Sequence, residues 1–107
     1  MKIIWTPAAA QDRADIWDYL HDVNPIAALE MDNRFIDAIS RISQFPESGP
    51  VGIITGTRES IPHQNYRLVY QLEPDAVWIL ALVHTSRQWP QKGNSHTPRP
   101  FLISTSS

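Results

Sequence analysis

The side chains best suited to chemistry fall within one stretch, Gly56 to Pro90: Arg58, Glu59, His63, Tyr66, Arg67, His84 and Arg87. Arg67 lies in a run otherwise built of Tyr, Leu and Val, the composition of a strand. A lone arginine on a solvent-facing strand needs no special role. It gains one if Arg58, on the preceding strand, and Arg87, just past the next, converge with it on the same sheet face. Three guanidiniums together would make an anion site, able to grip phosphate or carboxylate bidentately. His84 ends a strand and could act as a base near neutral pH. The plainer expectation is a histidine capping backbone at the sheet edge. Glu59 beside Arg58 is most simply a sheet-edge ion pair, and Trp89 most simply folds back on the core, or else offers a stacking or docking surface.

Other chemistries lack their parts. His84 and Ser86 do not suggest a serine hydrolase, because no Gly-x-Ser-x-Gly turn strains the nucleophile and no carboxylate is placed to orient the base. His21, His63, His84 and His96 are scattered without metal-ligand spacing, and there is no cysteine. No metal and no cofactor is expected.

These residues need a sheet to carry them. Lys2 to Trp5 is a first strand. Thr6-Pro7 caps and opens a helix to about His21, with Ala9, Arg13, Ile16, Trp17 and Leu20 along one side and acidic Asp12, Asp15 and Asp18 on the rest of its surface. Asn24-Pro25 repeats the signal for a second helix ending near Gln44, before Pro46. Its stripe is Ala28, Met31 or Asp32, Phe35, Ile39 and Ile42, with Ile36 and Phe45 beside it. Pro46, Gly49, Pro50 and Gly52 mark a loop. Strands follow at about Thr57–Ile61, Tyr66–Leu72 and Val77–His84. The middle one alternates Tyr66, Leu68, Tyr70 and Leu72 against Arg67, Val69 and Gln71; the last is apolar on both faces, as a central strand is. The order β-α-α-β-β-β predicts an α+β fold, a helical hairpin packed on one face of a curved antiparallel four-stranded sheet.

The chain has 107 residues, which is one small domain. Residues 1–90 form it, and 91–107, rich in breakers, read as a flexible tail. A net charge of -2 argues weakly against a dedicated nucleic-acid binder, although a basic face remains open. No apolar run approaches the roughly 20 residues that span a bilayer. With no secretory signal at the N-terminus, the expected location is the cytoplasm.

The order and spacing of several fragments resemble the RelE/ParE superfamily of toxins from type II toxin–antitoxin modules. They are Trp5 with Ala8-Ala9-Ala10, Asp15-Ile16-x-x-Tyr19-Leu20, Asn24-Pro25-x-Ala27-Ala28, Pro46-x-x-Gly49-x-x-Gly52, Gly56-Thr57-Arg58-Glu59, Tyr66-Arg67-Leu68-Val69-Tyr70 and His84-x-x-Arg87-Gln88-Trp89-Pro90. The resemblance implies one of two activities. RelE-like members cut mRNA on the ribosome; for that activity Arg58, Arg67, His84 and Arg87 would be the catalytic set. ParE-like members bind and inhibit DNA gyrase without being known as nucleases. Arg67 matches the strand arginine of the RelE-like site and Arg58 falls near a position held there by lysine. Ser60 stands where a second basic residue is expected, however, and Trp89-Pro90 replaces the closing tyrosine. The Gly-Thr-Arg-Glu and His-x-x-Arg-Gln-Trp-Pro phrases look like the ParE side, with Arg58, Glu59, Tyr66, Arg67, His84, Arg87 and Trp89 as the binding set. A third expectation is an inactive homologue that only binds its antitoxin. In each case the resemblance implies a cognate antitoxin, laid across the hairpin and sheet and able to build oligomers.

Overall fold

The computed structural model describes residues 1–87. Its elements are β1 (Lys2–Trp5), α1 (Pro7–Val23), α2 (Pro25–Gln44), β2 (Thr57–His63), β3 (Tyr66–Glu73) and β4 (Ala76–His84). The expected boundary at residue 90, the tail and Trp89 lie outside the described residues. Both helices start as the sequence predicts. The Thr6 hydroxyl accepts the Ala9 N–H and the Asn24 side chain accepts the Ile26 N–H, each with proline in the first helical position. Thr6 also fixes the corner between β1 and α1, because its hydroxyl donates to the Ile79 carbonyl at 2.9 Å.

The strands form one sheet in the order β1-β4-β3-β2, so β4 is central as its apolar composition requires. β2, β3 and β4 are antiparallel neighbours, but β1 runs parallel to β4, pairing Lys2–Trp5 with Ala76–Ile79. The sheet is therefore mixed, a correction to the all-antiparallel expectation. Short turns dictate antiparallel pairing only between consecutive strands. The whole helical hairpin and the β2–β3 hairpin separate β1 from β4, so no turn sets their relative direction. β2 also extends through Pro62, further than expected. A proline is tolerated there because β2 is an edge strand, and its register shifts between Ser60 and His63.

The helices cover one face. Ala9, Phe35 and Ile42 pack with Tyr66, Leu68, Tyr70, Val77, Ile79 and Leu82. A smaller cluster of Val69, Leu80 and Ala81, with Ile54, Trp78 and Val83 against it, lies on the other face. β4 switches its alternation at a bulge, since Val69 opposes Ala81 while Tyr70 opposes Ile79, leaving Leu80 as the extra residue. The bulge returns Leu82, and two residues later His84, to the helix side. Ile36 and Phe45, expected beside the helix stripe, are instead exposed at 47% and 61%. Ile36 sits on the turn of the helix that points away from the sheet, and Phe45 is already past the last helical residue.

Candidate functional site

The expected cluster of three guanidiniums does not form, because the pleat puts two of them on opposite faces. Arg58 pairs across the ladder with Tyr70, which lies in the helix-side core. Its guanidinium turns into the loop after α2 and donates to the carbonyls of Gly49 at 2.8 Å and Glu47 at 3.2 Å. Tyr70 binds the same loop. Its buried hydroxyl donates to the Pro46 carbonyl and accepts the Gly49 N–H. A side chain at residue 49 would press on both the Tyr70 hydroxyl and the Glu59 carbonyl, which explains glycine there. Arg58 and Tyr70 thus anchor a loop from the side where anion binding would need them free.

Arg67 lies on the other face. Its Nη1 is 3.5 Å from Glu59 Oε1 and its Nη2 donates to the Arg87 backbone carbonyl at 3.2 Å. Glu59 therefore pairs with Arg67 rather than with its sequence neighbour Arg58, because adjacent strand residues point to opposite faces while diagonal cross-strand residues share one. The other Glu59 oxygen accepts the Ile53 N–H. The contact Arg67 makes to residue 87 is to backbone; the Arg87 side chain is not part of it. Arg67 Nε is buried with no partner among the described residues.

Tyr66 and His84 stand elsewhere, in a groove of about 790 Å³ between α1 and the second half of β4. Phe35, Tyr66 and His84 form a chain of edge-to-face rings, with centroids 5.7 and 5.2 Å apart, running from the core to the groove. His84 Nδ1 accepts the Ser86 backbone N–H at 3.1 Å and lies 2.7 Å from the Ser86 hydroxyl. That is the backbone-capping role, and it leaves Nε2 as the ring's donor. His63 does the same for its own turn by accepting the Asn65 N–H. Arg87 lines the groove mouth.

Asp12, placed by sequence on open surface, is one of two acids lining this groove, with Asp15 the other. Asp12 is half-buried, and its carboxylate accepts the Leu82 backbone N–H at 3.1 Å. Loss of hydration raises its pKa above the ordinary value; the Leu82 bond opposes the rise, Asp15 adds to it and Arg87 opposes it. Burial likewise raises Tyr66, with Tyr19 adding to the effect and Arg87 working against it. The available signal for Asp12 was its helical spacing, one turn from buried Ala9 and one from Ile16. Among the described residues no three His, Asp or Glu side chains gather as a metal site would require, and no helix is long and apolar enough to cross a membrane.

Two helices over one face of a mixed four-stranded sheet form an architecture that solved structures share. The structure aligns with the chromosomal ParDE toxin–antitoxin system from P. aeruginosa at a TM-score of 0.68 and 20% identity, covering 78% of this chain and 95% of that one. It aligns with a YoeB/ParE toxin from Agrobacterium tumefaciens at 0.58 and 16%, covering 78% and 98%. By sequence, the candidate toxin Y4kP of Sinorhizobium fredii is 34% identical over 94 residues, 84% of this chain and 94% of that protein. Toxin RelE2 of Caulobacter vibrioides is 29% identical over 86 residues, 80% of this chain and 97% of that one. The family described as "ParE toxin of type II toxin-antitoxin system, parDE" matches residues 3–89. This chain belongs to that family.

Proposed function

We propose that the protein arrests growth by binding DNA gyrase, without catalysis of its own, and that a cognate antitoxin neutralises it in the cytoplasm. One observation carries the choice of target within the superfamily. Arg58 and Arg67 sit on opposite faces of the sheet, each already bonded to protein groups. Cleavage of RNA at a 2′-hydroxyl needs base, acid and cations around one phosphate. Arg58, Arg67, His84 and Arg87 do not surround one point in this arrangement. A binding protein has no such requirement; it needs a complementary surface. The surface proposed for gyrase is the outer face around Arg67 and Glu59, with Arg87 at its margin.

The deciding experiment adds purified protein to a gyrase supercoiling reaction, in parallel with a ribosome-programmed mRNA cleavage reaction. Inhibition of supercoiling with intact mRNA is the expected result. Cut mRNA with unaffected supercoiling would replace this reading with a ribosome-dependent endoribonuclease, the reading favoured by the name of the Caulobacter relative. No effect in either, and no arrest on expression without a partner, would leave an antitoxin-binding homologue.

A further inference from the structure

α2 is apolar on two sides, and the chain itself uses one of them. Ala28, Phe35, Ala38 and Ile42 are buried on the side toward the sheet. At about 100° per residue, Ile26, Leu29 and Ile36 project from the side turned away, and all three are exposed. Phe45, just past the helix end, is exposed as well. So is Met1, which is clipped to Ser43: the Met1 nitrogen lies 3.3 Å from the Ser43 hydroxyl, and that hydroxyl donates to the Met1 carbonyl at 3.0 Å. Leu29, Ile36 and Ser43 follow at heptad spacing, so they lie in one lane, and the clip extends it by the Met1 side chain. Beside it runs a second lane, Glu30, Arg34, Asp37 and Arg41, all exposed. The ion pairs among the described residues are Arg13–Asp32 and Glu59–Arg67, so none of these four charges is paired among them. Their order, acid, base, acid, base, is its own complement when reversed.

We infer that this face of α2 packs on the same face of a second copy of the chain, the two helices antiparallel about a two-fold axis between Phe35 and Ile36. Such a contact requires a surface that complements itself, and both lanes do. The axis sets Glu30 against Arg41 and Arg34 against Asp37, each twice. In the apolar lane it sets Ile36 against its own copy, Leu29 against Ser43 with its Met1, and Ile26 against Phe45. Sliding one copy by about a turn sets Glu30 against Asp37 in one direction and Arg34 against Arg41 in the other, like against like. A parallel pair would set every charge against itself. The apolar lane supplies the attraction; the exposed charges, weak as single pairs, fix direction and register. The face is about 30 Å long and about 10 Å wide. That is smaller than the roughly 800 Å² per partner of a standard interface, so the dimer is weak, with a micromolar dissociation constant. The outer face around Arg67 lies on the far side of the sheet and stays open in both copies. The inference therefore stands apart from the gyrase and antitoxin readings.

The test is sedimentation of the full chain from about 1 to about 300 μM. The average mass should climb from the monomer's 12.2 kDa toward twice that value. Arg34→Glu should weaken the dimer at least tenfold, because the two-fold axis counts the altered contact twice, and Asp37→Arg should do the same. The double variant Arg34→Glu/Asp37→Arg should regain native affinity, which a damaged helix could not do. Circular dichroism checks that each variant keeps its helices. A mass fixed at 12.2 kDa over the whole range overturns the inference. So does a dimer indifferent to either single change, which would use another face, and so does a double variant as weak as the singles. If the single changes leave self-association alone and loosen the antitoxin complex instead, the face belongs to that partner and the inference falls. Should the charge variants fail to fold, Ile36→Lys replaces them: it sets two cations together at the axis and should abolish the dimer, and a dimer that survives it overturns the proposal.

Discussion

Replacing Tyr70 by Phe isolates the bond network that holds the loop after α2. The ring is fully buried, so Phe keeps its packing and removes only the hydroxyl. That hydroxyl donates to the Pro46 carbonyl at 2.9 Å and accepts the Gly49 N–H at 3.1 Å. An intramolecular hydrogen bond contributes about 1 kcal/mol net, and a buried group left unsatisfied costs about 1–3 kcal/mol. Gly49 is buried, so its N–H has little access to water, whereas the Pro46 carbonyl is better placed to recover a partner. The expected loss is therefore about 2–3 kcal/mol, which for a small domain shifts the urea midpoint by roughly 1–2 M. There is a second signature. Burial raises the Tyr70 pKa above 10, with the Gly49 bond and Arg58 opposing the rise. Between the unfolded and folded values the native state holds the extra proton, so stability falls as pH rises through that window. Tyr70→Phe removes this share of the alkaline loss. A midpoint shift below about 0.3 M, with unchanged alkaline behaviour, would refute the claim that the hydroxyl ties the loop.

Three further outcomes can be measured. Gly49→Ala sets a Cβ 2.5 Å from the Tyr70 hydroxyl and 2.6 Å from the Glu59 carbonyl, so it should cost roughly 1–3 kcal/mol in urea unfolding; a neutral result would show that the loop yields freely. Asp12→Asn should stabilise the protein increasingly as pH rises above 3.8, because the raised folded pKa means the ionised carboxylate disfavours the fold above that window; a melting-temperature difference that is flat between pH 3.5 and about 7 would contradict it. Arg13 meets Asp32 through two bonds of 2.7 and 2.8 Å and lies over the Trp5 ring at 5.1 Å. A double-mutant cycle to Ala should give a coupling of about 0.5–1 kcal/mol that shrinks with salt, since the pair is partly exposed.

Much of the scaffold is legible in the chain because it rests on local rules. Thr6-Pro7 and Asn24-Pro25 start helices wherever they occur before a suitable periodic run, and the alternation of Tyr66 to Leu72 assigns each residue to a face. Even Gly49 stands out as a breaker, although its reason, the approach of Tyr70 from 21 residues away, is invisible locally. The candidate site is less legible. Nominating Arg58, Arg67 and Arg87 together assumed that arginines on neighbouring strands share a face, and that depends on register. Arg58 opposite Tyr70 and Glu59 diagonal to Arg67 follow from a pairing that no local signal records.

By itself, the order of residues determined the number and type of elements, their caps and which side of each is apolar, because these depend on bonds and contacts within a few positions along the chain. Tertiary structure alone decided the parallel direction of β1, the side of the sheet on which each arginine emerges, and the half-burial of Asp12 against Leu82. Those depend on segments up to 74 residues apart being brought side by side. A one-residue change in register would hand every strand side chain to the opposite face without altering any local preference.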